Sequence, residues 1–100
     1  MGDVAKTIDS KLRARFTPQR LAIEDESSRH RGHAGWREGG ETHFRVEIVS
    51  AAFEGRNRIA RQRLVYDTLK QELAGSVHAL ALTTLTPAED GRERGRPARS

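Results

Sequence analysis

Four histidines and no cysteine set the chemistry open to this 100-residue chain. His30 and His33 fall in a polar, glycine-rich stretch, 27–41; His43 falls in a run of alternating apolar and polar residues, and His78 opens another. Imidazole ligates borderline metals and changes its charge near neutral pH. A loop histidine meeting a strand-start histidine would place two metal-ligating nitrogens at one edge of a sheet. The same spacing also suits ordinary exposed, hydrogen-bonded histidines. A self-contained site needs three or four rigid ligands, and no His-Glu-x-x-His spacing supplies them. Half of a shared site is simpler: two imidazoles here and two thiolates from a second protein. Rieske centres show that a [2Fe-2S] cluster accepts mixed ligation of this kind.

Without cysteine, a disulfide framework, a zinc knuckle, an all-thiolate iron–sulfur site and a thiol nucleophile are all excluded. Serine, histidine and aspartate are present, but no nucleophile elbow or phosphate loop accompanies them, so no catalytic role is expected. A second chemistry is phosphate binding. Arg56, Arg58, Arg61 and Arg63 cluster around a turn and the start of a helix, where they could contact nucleic-acid phosphates. Gly32-His33-Ala34-Gly35 spells the Gly-x-x-Gly of KH domains, but lies between strands rather than helices and is set aside. Trp36 reads as a loop aromatic rather than a base-stacking platform.

Charge qualifies the nucleic-acid reading. Lys and Arg number 18 against 14 Asp and Glu, giving +4. The last ten residues hold Arg92, Arg94, Arg96 and Arg99 against Glu93, so they carry +3 of that excess and residues 1–90 are nearly neutral. That segment has no apolar residue larger than alanine and reads as a disordered, solubilising tail. Apolar runs are far shorter than the roughly 20 residues of a membrane span, and no signal-peptide core follows Met1. A cytoplasmic location with no membrane association is the expectation.

The elements that position these groups follow from periodicity. Asp3 can cap a helix carrying Val4, Ile8, Leu12 and Phe16, closed by Pro18. Leu21 and Ile23 mark a short strand ending near Asp25-Glu26-Ser27. Phe44, Val46 and Ile48 alternate with polar residues in a second strand. Phe53 to Asn57 forms a turn, with Asn57 capping a long helix that runs to about Ala74. On a helical wheel Ile59, Tyr66, Leu69 and Leu73 share its inward face, with Val65 at the edge and Leu64 on the far side. Gly75 ends that helix, residues 78–85 form a third strand, and Pro87 opens the tail. Two strands joined by a loop imply an antiparallel hairpin, and a crossover helix returns the third strand. The expected fold is an α+β sandwich in the order α-β-β-(short α)-α-β. Its three-stranded sheet has helices on one face, as in type II KH domains. The domain is expected to span residues 1–89, with the tail at 90–100.

Several segments carry a resemblance. Asp25-Glu26-Ser27, the histidine-bearing loop, ETHFRVEIVSAAFEG at 41–55, RQRLVYDTL at 61–69 and VHALALTTLTPAE at 77–89 resemble the BolA family, in order and with family-like spacing over residues 4–89. The resemblance implies the KH-like sandwich. It also implies a heterodimer with a monothiol glutaredoxin, bridged by a [2Fe-2S] cluster, for a role in iron–sulfur trafficking or iron regulation. The glutaredoxin side would give a cysteine and a glutathione thiolate. This chain would give His78 and a loop histidine, with His33 preferred and His30 the alternative, and would hold no cofactor when alone. Relatives often read Arg-His-Arg where this chain has Arg61-Gln62-Arg63. A transcriptional-regulator role with DNA as partner, through the turn-helix at 53–70, is the family's second implication. Weak self-association is a further expectation.

Overall fold

A computed structural model describes residues 2–26 and 42–95, with side chains as far as Arg92. The elements are α1 (Asp3–Phe16), β1 (Arg20–Asp25), β2 (His43–Val49), a 3-10 turn (Ala51–Phe53), α2 (Arg58–Thr68), α3 (Lys70–Ala74), β3 (Ala79–Leu85) and α4 (Pro87–Gly95). The sheet order is β1-β2-β3, with β1 antiparallel and β3 parallel to β2. This is the α+β sandwich expected from the alternating and helical periods. His30, His33 and Trp36 lie outside the described residues.

Register explains which side chains form the core. Leu21 pairs with Ile48 and Ile23 with Val46, while Phe44, Val46 and Ile48 face Leu80, Leu82 and Thr84 across β3. This face packs against Ile8, Leu12 and Phe16 of α1 and Val65 and Leu69 of the crossover, all buried. Each fully buried side chain of this size contributes about 1.5–3 kcal/mol. At the end of α1, the buried Ser50 hydroxyl donates to the Phe16 carbonyl at 2.6 Å and accepts from the Ala52 amide at 3.1 Å. One hydroxyl thereby ties the helix terminus to the exit of β2.

Three details depart from the sequence expectation. Gly2 occupies the N-cap position of α1 and Asp3 is the first helical residue, without a side-chain cap bond. The crossover helix breaks at Leu69, dividing α2 from α3. Its inward face is also different: Ile59 is 61% and Tyr66 38% exposed, whereas Val65 is buried and Leu64 packs on the core. The true face includes Arg61, a polar residue whose inward placement depends on an acidic partner that a helical wheel does not contain.

The largest correction concerns the C-terminal segment. Residues 87–95 are helix α4, not the start of a disordered tail, and the ordered unit continues past residue 89. The Glu89 carboxylate accepts from the Thr86 amide at 2.8 Å while the Thr86 hydroxyl accepts from the Glu89 amide at 3.2 Å. Thr86-Pro87-Ala88-Glu89 is therefore a capping box with proline in the first helical position. Residues 96–100 lie outside the described residues.

Candidate functional site

Two groups of polar residues sit at opposite ends of the sheet. At the start of β2 and β3, the His78 and Ala79 amides both donate to the Thr42 carbonyl, at 2.7 and 3.2 Å, and the Glu26 amide donates to the His43 carbonyl at 2.7 Å. These bonds fix the backbone where the 27–41 connection leaves and rejoins the sheet. His78 is exposed, just ahead of β3, and Val77 beside it is buried in the core. The anchored neighbour on one side and the backbone bond on the other hold the histidine Cα while leaving the imidazole outside. The His43 ring lies beside that of His78, with centroids 6.3 Å apart and planes inclined by 26°. His43 Nδ1 is 2.9 Å from the Thr42 hydroxyl.

Among the described residues no group of three or more His, Asp or Glu could hold a metal ion. The donor set here fits a contribution to a shared site rather than a complete one: an exposed imidazole on a fixed backbone, with no cysteine in the chain. Of the two ligands implied by resemblance, His78 is placed. His33 and its alternative His30 fall outside the described residues.

At the far end, α4 is held by two ion-pair systems. Arg20 donates to Asp90 at 2.6 Å and also pairs with Glu47. Asp90 is only 5% exposed. The Asp90 and Glu47 hydrogen bonds hold the Arg20 guanidinium well above its ordinary pKa. Arg61 grips Glu89 in a bidentate pair at 2.7 and 3.3 Å and also donates to the carbonyls of Thr84 and Arg56. Arg61, then the Thr86 amide, hold the Glu89 carboxyl down to about 2.

The four arginines singled out from the sequence thus divide. Arg61 is spent on structure. Arg56 and Arg58 flank Asn57, whose side chain caps α2 by accepting from the Ala60 amide at 2.8 Å. They line a cavity of about 560 Å³ between α2, the end of β3 and α4, together with Arg61, Glu89 and Arg92. Arg63 is exposed elsewhere on α2 and does not line it. Arg92 was hidden from sequence reasoning by the basic composition around it. The Thr-Pro-x-Glu signal two turns earlier places it on a helix.

The profile of the BolA family, described as BolA-like protein, matches residues 12–89. The chain is 43% identical over 93 residues to SufE-like protein 1 of Arabidopsis thaliana, covering 89% of this chain and 25% of that protein. It therefore spans about a quarter of that relative's length. The solved BolA domain of SufE1 from the same plant superposes with a TM-score of 0.81 at 43% identity, over 89% of this chain and 98% of the domain. The chain is also 45% identical to the DNA-binding transcriptional regulator BolA of Escherichia coli, over 86% of this chain and 78% of that protein.

Proposed function

The chain belongs to the BolA family, and from that premise we propose that it is an accessory protein that pairs with a monothiol glutaredoxin and co-ligates a bridging [2Fe-2S] cluster. The observation that carries this reading is His78: an exposed imidazole whose backbone is pinned to Thr42 at the sheet end where the 27–41 connection re-enters. His78 would be one ligand and His33, with His30 as alternative, the other. The glutaredoxin would add a cysteine and a glutathione thiolate. When bound, the cluster supplies iron that accepts neutral imidazole nitrogen.

This chain's own part is positional. The Thr42 carbonyl orients the His78 backbone, and buried Val77 fixes the approach to it. A ligand held this way loses little freedom on binding, whereas one on a longer connection loses more. The protein acts in cluster or iron handling and not as a catalyst, in the cytoplasm. Among the described residues no helix is long and apolar enough to cross a membrane.

The test mixes the full chain with a monothiol glutaredoxin, iron, sulfide and glutathione. A heterodimer on sizing, with a visible circular-dichroism spectrum distinct from that of the glutaredoxin cluster alone, is the expected result. An unchanged spectrum with no heterodimer overturns the proposal.

A second reading is DNA binding in transcriptional regulation, favoured by the similarity to the DNA-binding transcriptional regulator BolA of Escherichia coli. Of the arginines assigned to it, Arg61 is committed to Glu89, which leaves Arg56, Arg58 and Arg63 for phosphates. The salt dependence of duplex binding should then reflect about three phosphate contacts rather than four.

A further inference from the structure

We propose that the cleft between the start of α2, the end of β3 and α4 binds a compact oligophosphate chain, gripped by Arg56, Arg58 and Arg92. The proposal is independent of the cluster reading and concerns the opposite end of the sheet. Four guanidinium groups line the cleft against one carboxylate, Glu89. Arg61 and Glu89 neutralise each other through their bidentate pair, so the remaining three arginines leave a local charge of +3. Among the described residues no carboxylate pairs with Arg56, Arg58 or Arg92. The Arg56 Nε donates to the Ala52 carbonyl at 3.3 Å, which uses one donor of its five. Like charges converging in a concave site raise the local concentration of anions.

Shape and lining select the anion. A cavity of about 560 Å³ accepts a small ligand rather than a single ion. Guanidinium forks match phosphate oxygens in bidentate geometry, which favours phosphate over a diffuse anion. No aromatic residue lines the cleft, so a nucleobase has no ring on which to stack. Recognition would therefore centre on the phosphate chain, whether free or carried by a nucleotide. A duplex is the weaker fit. Its phosphates need charges spread along a surface, whereas these converge from a turn, α2 and α4, and the outward-facing Arg63 is excluded.

The arginines are carried on a prepared backbone. Glu54 and Gly55 form the centre of a type II turn, with Gly55 at φ +75°, and the Arg56 amide donates to the Phe53 carbonyl at 3.2 Å. The Asn57 cap fixes the start of α2, and the Thr86–Glu89 capping box fixes α4. Arg58 and Arg92 are exposed, so removing their charge does not touch the core.

The experiment is calorimetric titration of the full chain with tripolyphosphate, ATP and orthophosphate near physiological salt, repeated with Arg58→Gln, Arg92→Gln and Arg63→Gln. Saturable binding of tripolyphosphate, tighter than orthophosphate, is expected. Arg58→Gln and Arg92→Gln should each weaken it about tenfold, the scale of one charge-assisted contact, with Arg63→Gln unchanged. Tripolyphosphate binding more tightly than ATP identifies a free oligophosphate, and the reverse order a nucleotide; either supports the site. Absence of saturable binding overturns the proposal. So does equal weakening by Arg63→Gln and Arg92→Gln, which marks unlocalised surface attraction of the kind a DNA duplex would exploit.

Discussion

The two ends of the sheet use polar residues in opposite ways. At the β2–β3 entry, backbone hydrogen bonds fix the chain while the His78 imidazole stays exposed. At the exit, Arg20 pairs with Glu47 and Asp90 and Arg61 with Glu89, and the side chains themselves fix α4. Side chains that are already paired stabilise a fold but have little left for a ligand. Those positioned by their backbone alone remain free to bind. Function is therefore expected at the entry and stability at the exit, except where the exit leaves cations over.

The sharpest way to break this comparison is His78→Ala. The substitution should abolish the imidazole-ligated spectrum of the glutaredoxin complex and leave the melting temperature within about a degree, because an exposed side chain contributes little to stability. A large fall in melting temperature would show that His78 is structural, and the division between the ends would be wrong. His33→Ala should make the cluster labile, and His30→Ala decides between the two loop histidines.

Asp90→Ala should do the reverse. It leaves Arg20 with Glu47 alone and removes a nearly buried carboxylate from the α4 contact. The expected loss is about 2 kcal/mol, below that of breaking a fully buried pair because Arg20 keeps a partner and some solvent. Urea unfolding measures it, and the cluster spectrum should be unchanged.

Much of the entry was legible in the sequence, and much of the exit was not, for physical reasons. Strict alternation through Phe44, Val46 and Ile48 reports a strand with one buried face, and the every-fourth-residue spacing of Ile8, Leu12 and Phe16 reports a helix packed on it. Those patterns place His78 at a strand start. Helix α4 has no such apolar period. It is held by ion pairs between residues 28 and 70 positions apart, which no local window contains. Its one local sign is Thr86-Pro87-Ala88-Glu89, whose capping chemistry outweighs the basic composition that follows. The same long-range pairing moved Arg61 onto the inward face of α2 and left Ile59 outside. The loop histidines lie outside the described residues, so their part of the site rests on resemblance.

Glu89 sharpens the comparison through pH. Its folded carboxyl is held down to about 2 from an ordinary value of 4.5. A depressed carboxyl adds stability that is fully present above its unfolded range and is lost as pH falls through the folded value. Wild-type stability should therefore decline between about pH 5 and pH 2, and Glu89→Gln should show a shallower decline over that window. At pH 7 the same variant should lose about 1 kcal/mol or less, since the pair is partly exposed to water. Denaturation midpoints across the range read both effects. Parallel curves for the two proteins would show that Glu89 does not couple α4 to Arg61.

The smallest expected effect belongs to His43, the residue that looks most like a second ligand once the fold is seen. Its ring lies beside that of His78, with centroids 6.3 Å apart and planes inclined by 26°. His43 Nδ1 is also engaged at 2.9 Å by the Thr42 hydroxyl. His43 thus belongs with the residues that frame the site, while the Thr42 carbonyl, a backbone group, continues to hold His78 when the His43 side chain is removed. His43→Ala should leave the cluster spectrum of the complex intact and change stability by about 1 kcal/mol or less. Loss of the spectrum in this variant, with the fold retained by far-ultraviolet circular dichroism, would make His43 a ligand and displace both loop histidines from that role.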